Sequence, residues 1–413
     1  MSAPDDTLTV FHGETVVGEL TRDADERLRF EYAPAWLDVG FGISASLPLT
    51  PVPHAGTFFA NLLPEGDVRT LVARRLGVSA GNDLELLRAL GGDCAGALSL
   101  GEPGSPEHAY DELDPEELVT WMDEGTPALS HTAGRAGTRL SLAGAQDKLP
   151  VRLSDDGRLL LPRGRAASTH ILKFENRRFK HLVANELLTM RFAAALGLPT
   201  CQTSAREFDG RRALVVARYD RHIDSDGHVQ RLHQEDLCQA LGLPPTRKYE
   251  SEGGPSFATC YHAVQRRSHA PLPDARALLD WMVFCALAGN ADGHGKNLSM
   301  VRSPRGAWQL APFYDQVCTG VYPRLSQSLA MTVGATADPC FIRGRDWAAL
   351  ARDIRASPRF VKQRVGDLLE RAPDAFETAA STVDAELGRS PVLQLARRGM
   401  RKNVRSLRAR LSE

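Results

Sequence analysis

The run Asn290-Ala291-Asp292-Gly293-His294-Gly295-Lys296-Asn297, followed after an intervening stretch by Pro312-Phe313-Tyr314-Asp315, decides how this chain is read. An Asp, an Asn five positions on and a second Asp beyond a short strand pair is the spacing with which a phosphoryl-transfer site arranges its base and its metal ligands. Such a reaction asks little covalent chemistry of the protein. It needs a carboxylate to accept a hydroxyl proton, oxygen ligands for magnesium, and cations over the phosphates. The two segments supply most of that set.

Asp292 is accordingly the expected catalytic base, and Asn297 and Asp315 the expected ligands of Mg2+, with ATP as the donor. Gly293 and Gly295 are turn formers, so a plain turn is the competing reading of the first segment, and the paired Asp315 argues against it. The usual kinase pattern is departed from twice. No Gly follows Asp315, and Gly289-Asn290-Ala291 stands where His-Arg would precede the base. His294 and Lys296 bring positive charge near the phosphates, although a satisfied turn histidine accounts for His294 equally well.

Outward from this window, Asp274 to Ala288 reads as an apolar helix leading into Asp292. Met300–Val301 and Trp308–Ala311 read as a hairpin delivering Asp315, and 345–411 as several helices. From about 233 the chain is expected to be mostly helical. Upstream, Thr138–Ala143, Lys148–Leu153, Leu159–Leu161 and Thr169–Phe174 predict an antiparallel sheet. A helix from about Phe179 to Leu196 follows, stopped by Gly197 and Pro199, and then strands near Ser204–Phe208 and Ala213–Arg218. Sheet, one helix and more sheet is the order of a kinase small lobe.

In that lobe, Lys173 ends an alternating strand just before the helix, the context of a phosphate-gripping lysine. Glu186 in the helix is placed to pair with it; a solvated helix face is the alternative. Ser141-Leu142-Ala143-Gly144-Ala145-Gln146-Asp147 would be the phosphate-covering loop, with Ala143, Gly144 and Ala145 offering backbone N–H groups. Its single glycine makes it a thin version of such a loop. Ser141 is a candidate for phosphorylation, or an ordinary turn serine.

The first fifty residues alternate like strands (Thr7–Phe11, Thr15–Leu20, Arg27–Tyr32), and short helices follow Gly56. The acidic, Pro- and Gly-rich stretch 102–136 reads as a linker with one helix near Pro115–Met122. The expected organisation is therefore α+β. A β-rich and helical N-terminal domain (1–130) precedes a kinase-like bilobal fold, with a β-rich small lobe (131–220) and a helical large lobe (221–413).

At 413 residues the chain is too long for one typical domain. A formal charge of −1 argues neither for nor against nucleic acid, so any such role must be local. The C-terminal run Leu395 to Ser412, with its basic residues from Arg397 to Arg410, offers one local patch. It reads either as a solvated helix docked on the core or as a contact for nucleic acid or an acidic partner. Seven scattered cysteines without a CxxC pair, the absence of a signal-like N-terminus and the lack of any long apolar stretch predict a cytoplasmic protein with no membrane role.

These residues resemble the HipA family, the serine/threonine kinase toxins of bacterial toxin–antitoxin modules. The resemblance runs through Phe58-Phe59-Ala60-Asn61-Leu62-Leu63-Pro64-Glu65-Gly66, Leu90-Gly91-Gly92-Asp93, Ser141 to Lys148, Thr169 to Lys173, Arg218-Tyr219-Asp220-Arg221, Gln234-Glu235-Asp236 and Lys248-Tyr249-Glu250-Ser251-Glu252-Gly253-Gly254-Pro255, besides the two opening segments. It implies ATP and magnesium, an adenine hinge at Ala217-Arg218-Tyr219, and autophosphorylation of Ser141 that ejects its loop and silences the enzyme. It further implies an aminoacyl-tRNA synthetase as protein substrate and a small helix-turn-helix antitoxin, HipB-like, through which operator DNA is reached. The residues alone also admit a pseudokinase that bridges antitoxin and DNA, or a kinase of small molecules or lipids; the complete set Lys173, Asp292, Asn297 and Asp315 argues against the pseudokinase. Residues 248–255 have no role that the sequence explains.

Overall fold

The computed structural model describes residues 7–23, 27–50, 56–101, 108–133, 135, 137–144, 146–175 and 178–413. Near the N-terminus, strands Thr7–His12, Thr15–Arg22 and Leu28–Tyr32 form an antiparallel sheet, and Leu98–Gly101 pairs with the first of them. A bulge between Val10 and Phe11 breaks the alternation, so both side chains are buried. Helices Gly66–Leu76 and Asp83–Leu90 pack beside this sheet, the second capped by Asn82, whose side chain accepts from the Glu85 N–H.

The small-lobe sheet has six antiparallel strands, in the order His108–Glu112, Leu159–Gly164, Lys148–Leu153, His170–Phe174, Arg211–Ala217 and Thr203–Phe208. Its first strand corrects the linker reading of 102–136. Tyr110 and Asp111 pair with Pro162 and Leu161, and helix Pro115–Glu124 follows directly. Being an edge strand, it is polar enough to look like a linker. A second correction concerns Thr138–Ala143, which is not a strand of this sheet. Its backbone turns to the N-terminal region instead: the Asp93 N–H donates to the Arg139 carbonyl (2.8 Å), and the Glu65 N–H to the Gly144 carbonyl (3.1 Å).

Helix Leu182–Ala195 is apolar on nearly every face because it lies between the sheet and the helical lobe. It starts after Phe179 because His181 takes a left-handed conformation (φ 60°) at its N-cap. The large lobe contains helices Phe257–Arg267, Pro271–Ala288, Gly344–Asp353, Pro358–Leu387 and Pro391–Arg410. It also holds a small antiparallel sheet of Gln234–Asp236, Ser299–Arg302 and Trp308–Leu310.

The buried side chains form two cores. One joins the large-lobe helices to Leu182–Ala195 around Trp281, Phe192 and Phe284. The other is shared by the N-terminal sheet and helices with the small-lobe sheet, from Leu8 and Phe58 through Leu149 to Leu172. The N-terminal region is thus packed onto the small lobe as one hydrophobic unit. This shared core is what brings Leu62 to Glu65 up to Ser141 and Gly144.

Candidate active site

Between the lobes lies a cavity of 940 Å³. Lys173, Asp292, Asn297 and Asp315 line it together with Ala143, Gly144, Ala217, Tyr219, His294 and Lys296. Ser141 and Glu186 lie just behind its wall, and Ala145 falls outside the described residues.

Lys173 faces inward because it occupies an alternating strand whose other face joins the core. Its Nζ donates to Glu186 Oε1 at 2.5 Å and to Asp315 Oδ1 at 2.6 Å. Glu186 is buried, so helix Leu182–Ala195 presents no solvated face there. Burial pushes its carboxyl up to about 7, against the pull of Lys173. Burial would raise Asp315 too, but Lys173 and Lys148 outweigh it and hold that carboxyl well below the usual range. Asp315 itself has a φ of 57°, a left-handed conformation that Asp tolerates better than most residues, at the position where a kinase pattern would continue into Gly.

The Asp292 loop is tied from several sides. The buried Asn290 accepts from the Asp292 N–H at 3.0 Å, and its own amide donates to Gln316 at 3.1 Å. Asn297 Nδ2 donates to the Asp292 carbonyl at 2.8 Å, which commits the amide nitrogen and leaves the amide oxygen for another partner. A depressed carboxylate and a free amide oxygen are hard oxygen donors, and they fit magnesium.

Two expected cations are placed less simply. Lys296 Nζ lies 2.8 Å from Glu65 Oε1 and 3.2 Å from the Asn61 carbonyl, so it reaches into the N-terminal region. The buried His294 packs edge-on against Tyr249, with ring centroids 4.9 Å apart, and burial lowers its pKa, favouring the neutral ring. Lys148 was missed by the sequence reading. It sits directly across the sheet from Lys173 and lines the same cavity, and burial pushes its ammonium down to about 8. Its position on a strand beside the lysine strand, with its side chain on the same face, was the signal.

Glu65 was also missed as a functional residue. Its carboxylate takes Lys296 on one oxygen and Lys248 on the other, the latter at 2.7 Å. Beside it, the buried Ser141 donates from Oγ to the Leu62 carbonyl at 2.7 Å. Gly144 holds a φ of 109° in the same loop, and a Cβ there would come 2.8 Å from Lys148 Nζ.

In the segment expected to be the hinge, Ala217 and Tyr219 face the cavity, and Tyr219 stacks on Tyr314. Arg218 points the other way, into a buried cluster. It donates to Asp220 (2.8 Å), Ser168 (2.9 Å) and the Cys94 carbonyl (2.8 Å), while Arg221 reaches Asp93 at 2.8 Å. Burial would raise Asp93, but Arg221, Arg218 and Arg231 hold it down at about 2. This cluster rivets residues 218–221 to the N-terminal region.

Along helix Pro391–Arg410, Leu393, Val404 and Leu407 are buried. Arg397 and Arg401 pair with Glu377, and Arg408 donates to the Leu369 carbonyl at 2.7 Å. The helix is therefore docked on the core by its apolar face, while Arg398, Arg401, Lys402, Arg405 and Arg408 stay exposed.

A bilobal fold with a lysine–glutamate pair, a glycine-bearing loop over the cavity and an Asp–Asn–Asp set defines a protein kinase-like enzyme. Comparison with known proteins narrows the class. The model of the HipA-like C-terminal domain matches residues 140–376, and that of the HipA N-terminal domain matches 8–101. The chain is 41% identical to Y4mE of Sinorhizobium fredii over 382 residues, 89% of this chain and 90% of that protein. It is 33% identical to the serine/threonine-protein kinase toxin HipA of Shewanella oneidensis over 407 residues, 91% of this chain and 92% of that one. The structure of Shewanella HipA, solved with HipB and operator DNA, superposes with a TM-score of 0.84 at 29% identity and covers 98% of both chains. The chain belongs to the HipA family. Among the described residues no helix is long and apolar enough to cross a membrane.

Proposed function

We propose that this chain transfers the γ-phosphate of ATP, with magnesium, to a serine or threonine hydroxyl of a protein, as the toxin of a toxin–antitoxin pair. The observation that carries the reading is the convergence of Lys173, Asp292, Asn297 and Asp315 on one cavity between the lobes. Asp292 accepts the proton of the acceptor hydroxyl as its oxygen bonds to the γ-phosphorus and the bond from that phosphorus to the bridging oxygen breaks, releasing ADP. Lys173, kept charged by Glu186 and Asp315, holds the phosphates, and Lys148 adds a second cation. Asn297 and Asp315 would hold magnesium, which would supply charge to offset that developing on the transferred group. Ala217 and Tyr219 border the adenine slot, and Ala143 and Gly144 cover the phosphates.

Ser141 is the proposed autophosphorylation site. Its hydroxyl is buried against Leu62, so phosphorylation requires the loop to leave the N-terminal region, and a phosphate of charge about −1.5 to −2 keeps it from returning. The proposed acceptor is an aminoacyl-tRNA synthetase. The proposed partner is a small helix-turn-helix antitoxin of HipB type, through which the protein meets operator DNA in the cytoplasm; the complex formed by the Shewanella relative supports this partner.

The test is phosphate transfer from labelled ATP with magnesium, using the purified protein, a bacterial lysate and an Asp292→Asn control. Label on Ser141 and on one synthetase-sized band, lost in the control, is expected. ATP binding without transfer to any protein would return the reading to a pseudokinase or a small-molecule kinase.

A further inference from the structure

The segment Lys248 to Pro255, which the sequence left unexplained, makes a brace around the catalytic loop. Three consecutive side chains each grip a different part of the site. Lys248 holds Glu65, Tyr249 donates from its hydroxyl to Asp292 Oδ1, and Glu250 accepts from the Thr332 N–H at 2.6 Å. The backbone joins in, the Gly295 N–H donating to the Lys248 carbonyl at 3.2 Å. The segment then closes on itself, with the Gly254 N–H on the Tyr249 carbonyl at 2.8 Å. A Cβ at Gly254 would lie 2.6 Å from that carbonyl oxygen and 2.7 Å from that of Arg247, so only glycine permits the closure.

We infer that Tyr249 is a positioning residue for the catalytic base, holding one oxygen of Asp292 so that the other is aimed at the acceptor hydroxyl. The inference rests on the kinase reading above. Four observations carry it. The Tyr249 hydroxyl is the hydrogen-bond donor to the Asp292 carboxylate among the described residues, and Oδ2 takes no hydrogen bond. His294 Nε2 stays 3.7 Å from the same Oδ1, beyond hydrogen-bond reach. The tyrosine ring is fixed against His294 and the Lys248 ammonium, so the hydroxyl cannot wander. The Asp292 side chain is 44% exposed, so without that hydrogen bond solvent would compete for both oxygens and the carboxylate would sample other rotamers.

The test compares steady-state transfer by wild type, Tyr249→Phe, Asp292→Asn and the double variant, with ATP binding and thermal unfolding measured alongside. Phenylalanine keeps the ring on His294 and removes only the hydroxyl. The expected result is a kcat lower by roughly ten- to a hundredfold, as for other groups that orient a functional ligand, with ATP affinity and unfolding temperature near wild type. Because Tyr249 acts through Asp292, adding Tyr249→Phe to Asp292→Asn should lower the residual rate no further. Wild-type kcat in Tyr249→Phe overturns the inference. So does a higher kcat, which would make the hydroxyl a competitor of the acceptor, or a full additive loss in the double variant, which would make it merely structural. A wild-type protein that moves no phosphate is a separate result and overturns the kinase reading itself.

Discussion

Lys173 Nζ donates to Asp315 Oδ1 at 2.6 Å, tying a strand of the small lobe to the segment that leaves the large-lobe hairpin. The same ammonium donates to Glu186 at 2.5 Å, so one cation serves two carboxylates that would otherwise repel. Lys173→Met removes it and leaves both facing each other in a desolvated space. Transfer should fall by roughly a hundred- to a thousandfold, the loss expected when a preorganised charge is removed from a developing anion. Stability should fall by about 3 kcal/mol, because breaking a buried pair strands its partners. Denaturant unfolding and a transfer assay read the two effects separately.

Asp292 and Asp315 should part company on mutation. Asp292→Asn removes a group used only as the acceptor loses its proton, so transfer should drop by about a hundred- to ten-thousandfold while ATP binding stays close to wild type. Asp315→Asn should also weaken magnesium-dependent nucleotide binding, since Asp315 is a proposed metal ligand. Titration calorimetry with and without magnesium distinguishes them. Full activity in both variants would end the assignment.

How much of this was written in the sequence depends on how far apart the partners lie along the chain. Asp292, Asn297 and Asp315 share a loop and the hairpin after it, so their spacing alone foretold that they would line one cavity. Lys173 was legible because a lysine at the end of an alternating strand has few other contexts. Glu65 was not, because its partners Lys248 and Lys296 lie far along the chain and meet it only through a core shared by the N-terminal region and the small lobe. Tyr249 stood in a quoted motif without a role, since nothing in residues 248–255 points to Asp292 until the chain is folded. The edge strand His108–Glu112 was hidden by the polar composition that keeps such edges soluble. Thr138–Ala143 alternates like a strand, yet its hydrogen bonds go to Asp93 and its neighbours across the domain contact.

The Glu65 clamp should show in acid stability. Burial would raise its carboxyl, but Lys296 and Lys248 hold it at about 2, against an ordinary 4.5. A depressed folded pKa contributes stability that is complete above the unfolded value and is lost as pH falls through the folded one. Wild type should therefore lose about 3 kcal/mol from this group between pH 4.5 and 2. Glu65→Gln should be less stable at neutral pH and show a shallower fall across that window. Denaturant titrations at stepped pH measure both slopes.

Lys148 gives a slope of the same sign at alkaline pH, but from a group whose charged form is penalised by burial rather than stabilised by partners. Burial lowers its ammonium to about 8 from 10.5. The cost of burying the charged form is complete below about 8 and fades as pH rises towards 10.5, so this group adds stability with rising pH in that range. Nucleotide phosphates set beside Lys148 would favour the charged form and draw a proton back on. Near pH 8 about half the free protein would lack that proton, so ATP binding should take up about half a proton. Calorimetry in buffers of differing ionisation heat reads this uptake directly. Lys148→Met should abolish it and weaken ATP binding.

Ser141 sets apart the loop's two states. Its hydroxyl, wholly buried, donates to the Leu62 carbonyl at 2.7 Å, while the next turn of the loop pairs with Glu65 through Gly144. Ser141→Ala loses one hydrogen bond worth about 1 kcal/mol and leaves the carbonyl unpaired, yet fits the same space. It should bind ATP and phosphorylate other proteins near the wild-type rate, with no label at position 141. Ser141→Asp places a carboxylate against a carbonyl oxygen at a wholly buried position, which costs several kcal/mol unless the loop leaves. The loop should then swing out, taking Ala143 and Gly144 from the phosphates. Transfer should fall at least tenfold, and limited proteolysis should cut between 138 and 147 where the wild type resists. If Ser141→Asp is as active and as protected as wild type, the packing against Leu62 does not govern the loop and the proposed silencing by phosphate has no structural basis.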